Sequence, residues 1–219
     1  MQFRTRKDGT VYPLGGSSKK KGAGAFVAGA ALVGAAAFGG SGGFIGGGAA
    51  DGLSAAAQAR VVKAQKAAAQ GKRGQAWRRV GVRQSRNRVE RRLSCARNSH
   101  GEVREFFVLT PCRSLKRGLF LLTDGRGGSL VLSVYWVRMR DRAAAQALKG
   151  LDDTYGTGNV NPIAARFLGL GGVTFTGKYY DSRLSGAMTV IAEAEPVTGA
   201  PTAETLESVA QVATYFPAP

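Results

Sequence analysis

Few side chains in this chain have the type and spacing that a reaction needs. His100 is the one histidine, placed in the first turn of an expected helix, so no second imidazole is available for a metal site or an acid–base relay. Cys95 and Cys112 are the whole cysteine supply, too few to close a structural zinc site, and they form no C-x-x-C pair. Cys112-Arg113-Ser114-Leu115-Lys116-Arg117 has the outline of a phosphatase loop, but four residues separate cysteine from arginine, one fewer than that chemistry uses. Asp152-Asp153-Thr154-Tyr155-Gly156-Thr157-Gly158-Asn159 puts adjacent carboxylates beside Gly and Asn, as a loop for a hard cation would. Its spacing is not that of an EF-hand, and a helix end followed by a turn explains the same residues. Glu193 and Glu195 fall on one face of an expected strand, where they read as exposed partners of Lys178 or Arg183 and not as a catalytic carboxylate pair. The sequence therefore points away from catalysis, names no catalytic residue, and calls for no metal or cofactor.

Charge is the stronger signal. The formal net charge is +17, and residues 1–102 hold 19 Lys and Arg against 4 Asp and Glu, while residues 103–219 hold 12 against 10. The excess in the first half calls for an anionic partner: a membrane surface, a cell-envelope polymer or, as the alternative, nucleic acid. Arg78, Arg79, Arg91 and Arg92 are the residues expected to contact it. A basic helix lying on a surface, with Trp77 as its interfacial anchor, is one form this contact could take; a solvated connector is another.

The elements that must position these residues fall into four stretches. Residues 1–21 read as a basic disordered tail with a short strand around Thr10 to Leu14. Residues 22–50 carry no charge and are built from 11 Gly, 10 Ala and eight others. As a helix this stretch would reach about 43 Å, more than the ~30 Å of a bilayer's hydrocarbon. A retained membrane helix is the leading reading; a cleaved signal and a soluble Gly-rich linker are the alternatives. Gly39, Gly43 and Gly47 have the spacing that lets membrane helices self-associate. Lys and Arg are denser before the segment than just after it, which places the C-terminal part outside the cytoplasm.

Residues 51–94 read as a basic helical connector, with Leu53, Ala57, Val61, Ala64 and Ala68 at helical spacing. Residues 95–219 read as the folded domain. Ser99 and Glu102 have capping-box spacing for a helix that Pro111 ends. A hairpin follows, from Leu119 to Thr123 and from Leu130 to Val137 around Asp124-Gly125-Arg126-Gly127-Gly128. Asp141 can cap a helix carrying Ala144, Ala145, Leu148 and Leu151. Asn161-Pro162 starts a short helix through Leu168. A second hairpin alternates from Val173 to Tyr180 and returns through Met188, Val190, Ala192 and Ala194. Thr202 caps a last helix with Leu206, Val209, Ala210 and Ala213 inward. This order predicts an α+β fold: a four-stranded, mainly antiparallel sheet from two hairpins, with helices packed on one face.

An even cysteine count fits one disulfide, Cys95 to Cys112, in an oxidising compartment; two buried free thiols are the alternative. The helix between the two spans roughly 15 Å, so a bridge requires the chain to fold back at one end.

Thr110-Pro111-Cys112-Arg113-Ser114, Tyr155-Gly156-Thr157-Gly158-Asn159, Phe175-Thr176-Gly177 and Ala192-Glu193-Ala194-Glu195-Pro196 together resemble uncharacterised membrane-anchored cell-envelope proteins of high-GC Gram-positive bacteria. The resemblance covers residues 95–219. It implies a cell-envelope setting and brings neither an activity nor site residues.

Overall fold

The computed structural model describes residues 2–5, 11–14 and 53–219. The uncharged stretch 22–50, with Gly39, Gly43 and Gly47, and Lys19 to Lys21 before it, lies outside the described residues. Among the described residues no helix is long and apolar enough to cross a membrane. Strands β1 (Gln2–Thr5) and β2 (Val11–Leu14) form an antiparallel ribbon. The second is the short strand expected near Thr10; its partner lies in what composition reads as a disordered tail.

Helix α1 (Ala55–Ala69) starts at Ser54, whose Oγ accepts the Ala57 N–H at 3.2 Å. It buries Ala57, Val61, Ala64 and Ala68, the face its spacing predicts. Helix α2 (Arg73–Arg79) follows after one turn, and then the chain departs from expectation. The arginine-dense stretch is not helical to its end: Val82–Leu93 is strand β3. It pairs antiparallel with β4 (Ser114–Asp124), which forms a hairpin with β5 (Ser129–Arg138). The hairpin turn is held by Asp124, whose Oδ1 accepts the N–H groups of Arg126 at 2.8 Å and Gly128 at 2.7 Å. A second hairpin joins β6 (Tyr179–Ser185) to β7 (Met188–Thr198). The sheet therefore has five strands, not four, all antiparallel, in the order β3-β4-β5-β7-β6. The fifth strand escapes a sequence reading because it is an edge: it needs backbone pairing on one side only, and its charges discourage pairing on the other.

Helices cover both faces of the sheet, where one face was expected. Helices α1, α2 and α5 (Ala203–Ala213) bury Val61, Trp77 and Val209 against Leu122, Leu132 and Trp136. Trp77 is 1% exposed, with Phe216 at 4.8 Å, so it anchors the core and not an interface with lipid. The helices expected to form a basic connector are thus part of the same core as the strands, and the packed unit takes in residues 53–94. On the opposite face α3 (Gly101–Leu109) and α4 (Arg142–Asp152) bury Val103, Phe107 and Leu148 against Leu115, Tyr135 and Ile191. Asp141 and Thr202 cap α4 and α5 as their positions predict, accepting from Ala144 N at 2.8 Å and Thr205 N at 3.2 Å.

The capping box at Ser99 does not form. Ser99 donates its hydroxyl to Cys95 O at 2.8 Å, and His100 takes the N-cap position. The first turn of α3 is satisfied from across the chain, with Val103 N–H donating to Thr157 O at 3.3 Å. This crossing needs glycine twice: a Cβ on Gly158 would lie 2.2 Å from His100 O, and one on Gly101 2.5 Å from Thr157 O. Of the acidic loop's two glycines, Gly158 therefore serves close approach of two backbones, while Gly156 has open space around it and a positive φ of 91°. Cys95 and Cys112 are joined, with Cα atoms 6.2 Å apart across α3. A 3₁₀ turn at Ala96–Asn98 supplies the fold-back the bridge requires.

Candidate anionic-partner interface

Strand β3 carries Arg83, Arg86 and Arg88 in register with Thr123, Leu121 and Leu119 of β4, so all three share the face on which α3 and α4 pack. Those helices do not reach this end of the sheet. A segment with little regular structure, residues 153–178, covers it instead, through one 3₁₀ turn at Ala165–Leu168. Leu119, Val131, Ile163 and Leu168 make a small third core beneath it. Above that core Phe167 is left 50% exposed. The Arg88 guanidinium lies over its ring at 4.4 Å and that of Arg166 at 5.3 Å. Arg86 Nη1 donates to Leu168 O at 3.1 Å and fixes the turn to the strand. Three arginines thus meet at an exposed aromatic ring, and Arg83 extends the basic face along the strand. Glu90 is the acid nearest in sequence, and Arg117 engages it at 2.6 Å while Arg88 approaches it at 3.6 Å.

The anchoring of the segment explains two misread carboxylates. Glu193 and Glu195 are 3% and 7% exposed, not on an open sheet face. Glu195 Oε1 accepts from Thr176 N at 2.7 Å and from Thr176 Oγ1 at 2.5 Å. Glu193 accepts from the Gly177 N–H. Each carboxylate supplies acceptors to a chain that has no strand partner there, which is what an irregular backbone lying on a sheet requires. The strand expected from Val173 begins only at Tyr179, because the preceding residues bond to these side chains. Arg117 Nη1 donates to Asn161 O at 2.6 Å and fastens the segment's other end.

The acidic loop is used in the same way. Tyr180 OH donates to Asp152 Oδ2 at 2.5 Å, and Ser182 Oγ to Asp153 Oδ1 at 2.5 Å; Lys149 meets Asp153 at 2.5 Å. Tyr135 is fully enclosed nearby, and burial, with the Glu193 charge next in size, pushes its phenol well above its ordinary range. It stays neutral. His100 is exposed and its Nδ1 lies 2.7 Å from Asn161 Oδ1.

The four arginines singled out from sequence are not brought together. Arg78 is exposed on α2, while Arg79 donates Nη1 to Lys63 O at 2.7 Å. Arg91 and Arg92 are exposed at the far end of β3, about 30 Å of strand from its start at ~3.3 Å per residue. The assembled surface uses Arg83, Arg86, Arg88 and Arg166 instead. Alternation of arginine in Arg86-Asn87-Arg88 is the signal the sequence offers, and the expectation of a helix there hides it.

No protein-family model matches the chain, and no curated protein or solved structure matches it. The class therefore rests on the fold: α+β with a five-stranded antiparallel sheet, its helices on both faces and a basic edge.

Proposed function

We propose that this protein is a non-catalytic binding module, anchored in a membrane through residues 22–50 with its folded part outside the cytoplasm. Its partner is an anionic cell-envelope polymer lying along β3. The observation that carries this reading is the exposed Phe167 ring under Arg88 and Arg166, with Arg86 bonded to the adjacent Leu168 and Arg83 further along the same strand face. Guanidinium groups pair with phosphate or carboxylate oxygens, and an exposed ring adds a flat apolar contact between charges. The Cys95–Cys112 disulfide supports the oxidising compartment. A second reading, single-stranded nucleic acid, is favoured by the same exposed ring, because bases stack on such platforms.

Binding of the full chain to poly(glycerol phosphate) and to a single-stranded oligonucleotide, each across a salt series, tests both. The proposal expects polymer binding that weakens steeply with salt and falls at least tenfold, about 1.4 kcal/mol, in Arg86→Glu/Arg88→Glu. Tight oligonucleotide binding without polymer binding selects the second reading. Equal polymer binding by the double variant overturns the assignment of the surface.

A further inference from the structure

At the opposite end of the α1/α5 face, the helices stop before the strands do. Helix α1 ends at Ala69 and α5 at Ala213, while β4 begins at Ser114 and β5 runs to Arg138. The uncovered end of the sheet is a cleft of about 520 Å³, walled on one side by residues 215–218. This volume is that of a small-molecule site. Lys116, Arg138 and Arg183 line it, and no Asp or Glu does. Between the cations lie Trp136, Met188 and Tyr215.

The cations are held differently. Arg183 is fixed: its Nε donates to Thr214 O at 3.0 Å and its guanidinium stacks on Tyr215 at 4.4 Å, which leaves its terminal nitrogens for another acceptor. Lys116 Nζ donates to Pro219 O at the rim. Arg138 is exposed. Asp181, an acid on this face outside the cleft lining, accepts from Thr214 Oγ1 at 2.8 Å, and burial raises its carboxyl to about 7, so at neutral pH it carries only about half a negative charge. A concave site with three cations, Tyr215 and Met188 between them and no Asp or Glu in its lining favours an anion with a flat apolar part over either an inorganic ion or a neutral molecule.

We propose that this cleft binds a small organic anion, a carboxylate or phosphate ester carrying an aromatic or short aliphatic group. Its charged end would lie among Lys116, Arg138 and Arg183, and its apolar part against Met188 and Tyr215, above the buried Trp136. The site lies on the face opposite Phe167 and does not rest on the polymer reading.

The chain contains two tryptophans, and they give the test its reporter. Both indoles are buried, but Trp136 lies at the floor of the cleft and donates its N–H to Phe216 O at 2.9 Å, whereas Trp77 lies beneath α2 and is not among the cleft's lining residues. Naphthyl phosphate, naphthoate and the neutral naphthalenemethanol are titrated into the full chain and followed by nitrogen–proton NMR. The expected result is a saturable shift of the Trp136 indole, larger than that of Trp77, with at least one of the two anions and not with the neutral alcohol. Arg138→Glu, an exposed position, is expected to weaken the anion about tenfold, and Arg88→Glu to leave it unchanged. No Trp136 shift at millimolar anion, an equal shift with the alcohol, or unchanged affinity in Arg138→Glu would each overturn the proposal. Lys116→Gln provides a second variant should Arg138→Glu fold poorly, with the same expected loss.

Discussion

The two faces of the five-stranded sheet are covered by opposite means. Under α1, α2 and α5 the strands present Phe120, Leu122, Leu130, Leu132, Val134, Trp136, Val190, Ala192 and Ala194, an apolar surface with Asp181 and Arg183 only at its β6 margin. Under α3, α4 and the 153–178 segment, the same strands β5 and β7 present Ser133, Tyr135, Glu193 and Glu195, all buried. Helices satisfy their own backbone groups and ask only for apolar contact. An irregular segment brings free N–H groups with it and asks for acceptors. The chemistry of each face follows from what lies on it. On the polar face that segment carries Phe167 out to the arginines of β3, so the buried carboxylates act on the surface site by holding its support.

Breaking the apolar face should have the largest effect. Trp77→Ala removes a 1%-exposed indole packed on Phe216, and a loss of about 3–5 kcal/mol is expected. A shifted urea midpoint with one cooperative transition would also show that residues 53–94 unfold with the sheet. A stable protein that loses only α1 and α2 would separate them from the core.

Reducing the Cys95–Cys112 bridge acts on the polar side, where Cys95 packs with α3. Closing a loop of this length contributes about 3 kcal/mol in the chain-entropy model. Urea unfolding with and without reductant should differ by about that amount, and a much smaller difference would mean that the unfolded chain gains little from reduction.

Asp181 sharpens the comparison as a carboxylate on the apolar side. Burial raises it to about 7, opposed by the Thr214 hydroxyl, Lys149 and Arg183, with Asp153 adding to the rise. Between pH 4 and 7 the folded state holds this proton while the unfolded state has lost it, so stability falls as pH rises through that window and is constant above it. Asp181→Asn should remove this slope and raise stability above pH 7 by about 2–4 kcal/mol. Thermal unfolding across the same pH range checks it; an unchanged slope would assign the pH dependence elsewhere.

Glu195→Ala should cost about 1–3 kcal/mol, since it leaves the Thr176 N–H and hydroxyl without their acceptor. Amide exchange is expected to quicken at Thr176 and Gly177 while Val209, under α5, keeps its protection. Uniform loss of protection would mean that the carboxylate supports the whole sheet and not the segment.

Much of the fold is legible in the sequence where residues repeat with a period. Val61, Ala64 and Ala68, the alternation from Met188 to Ala194, and the caps at Asp141 and Thr202 all read correctly, because packing and local hydrogen bonds agree there. β3 does not read as a strand, since Arg83 to Arg92 shows no apolar alternation when neither side of an edge is fully buried. Glu193 and Glu195 read as exposed, since charge is a good guide to the surface until a backbone without partners comes to lie on it. The same two errors concealed the candidate interface: its arginines lie on the missed strand, and its support hangs from the misplaced carboxylates.

The affinity of Glu195→Ala for poly(glycerol phosphate) tests the central claim most directly. Removing an acidic side chain should strengthen binding to an anion if charge alone acts. If Glu195 holds the segment that presents Phe167, binding should weaken several-fold despite the lost negative charge. Tighter or unchanged binding by the folded variant would contradict the account.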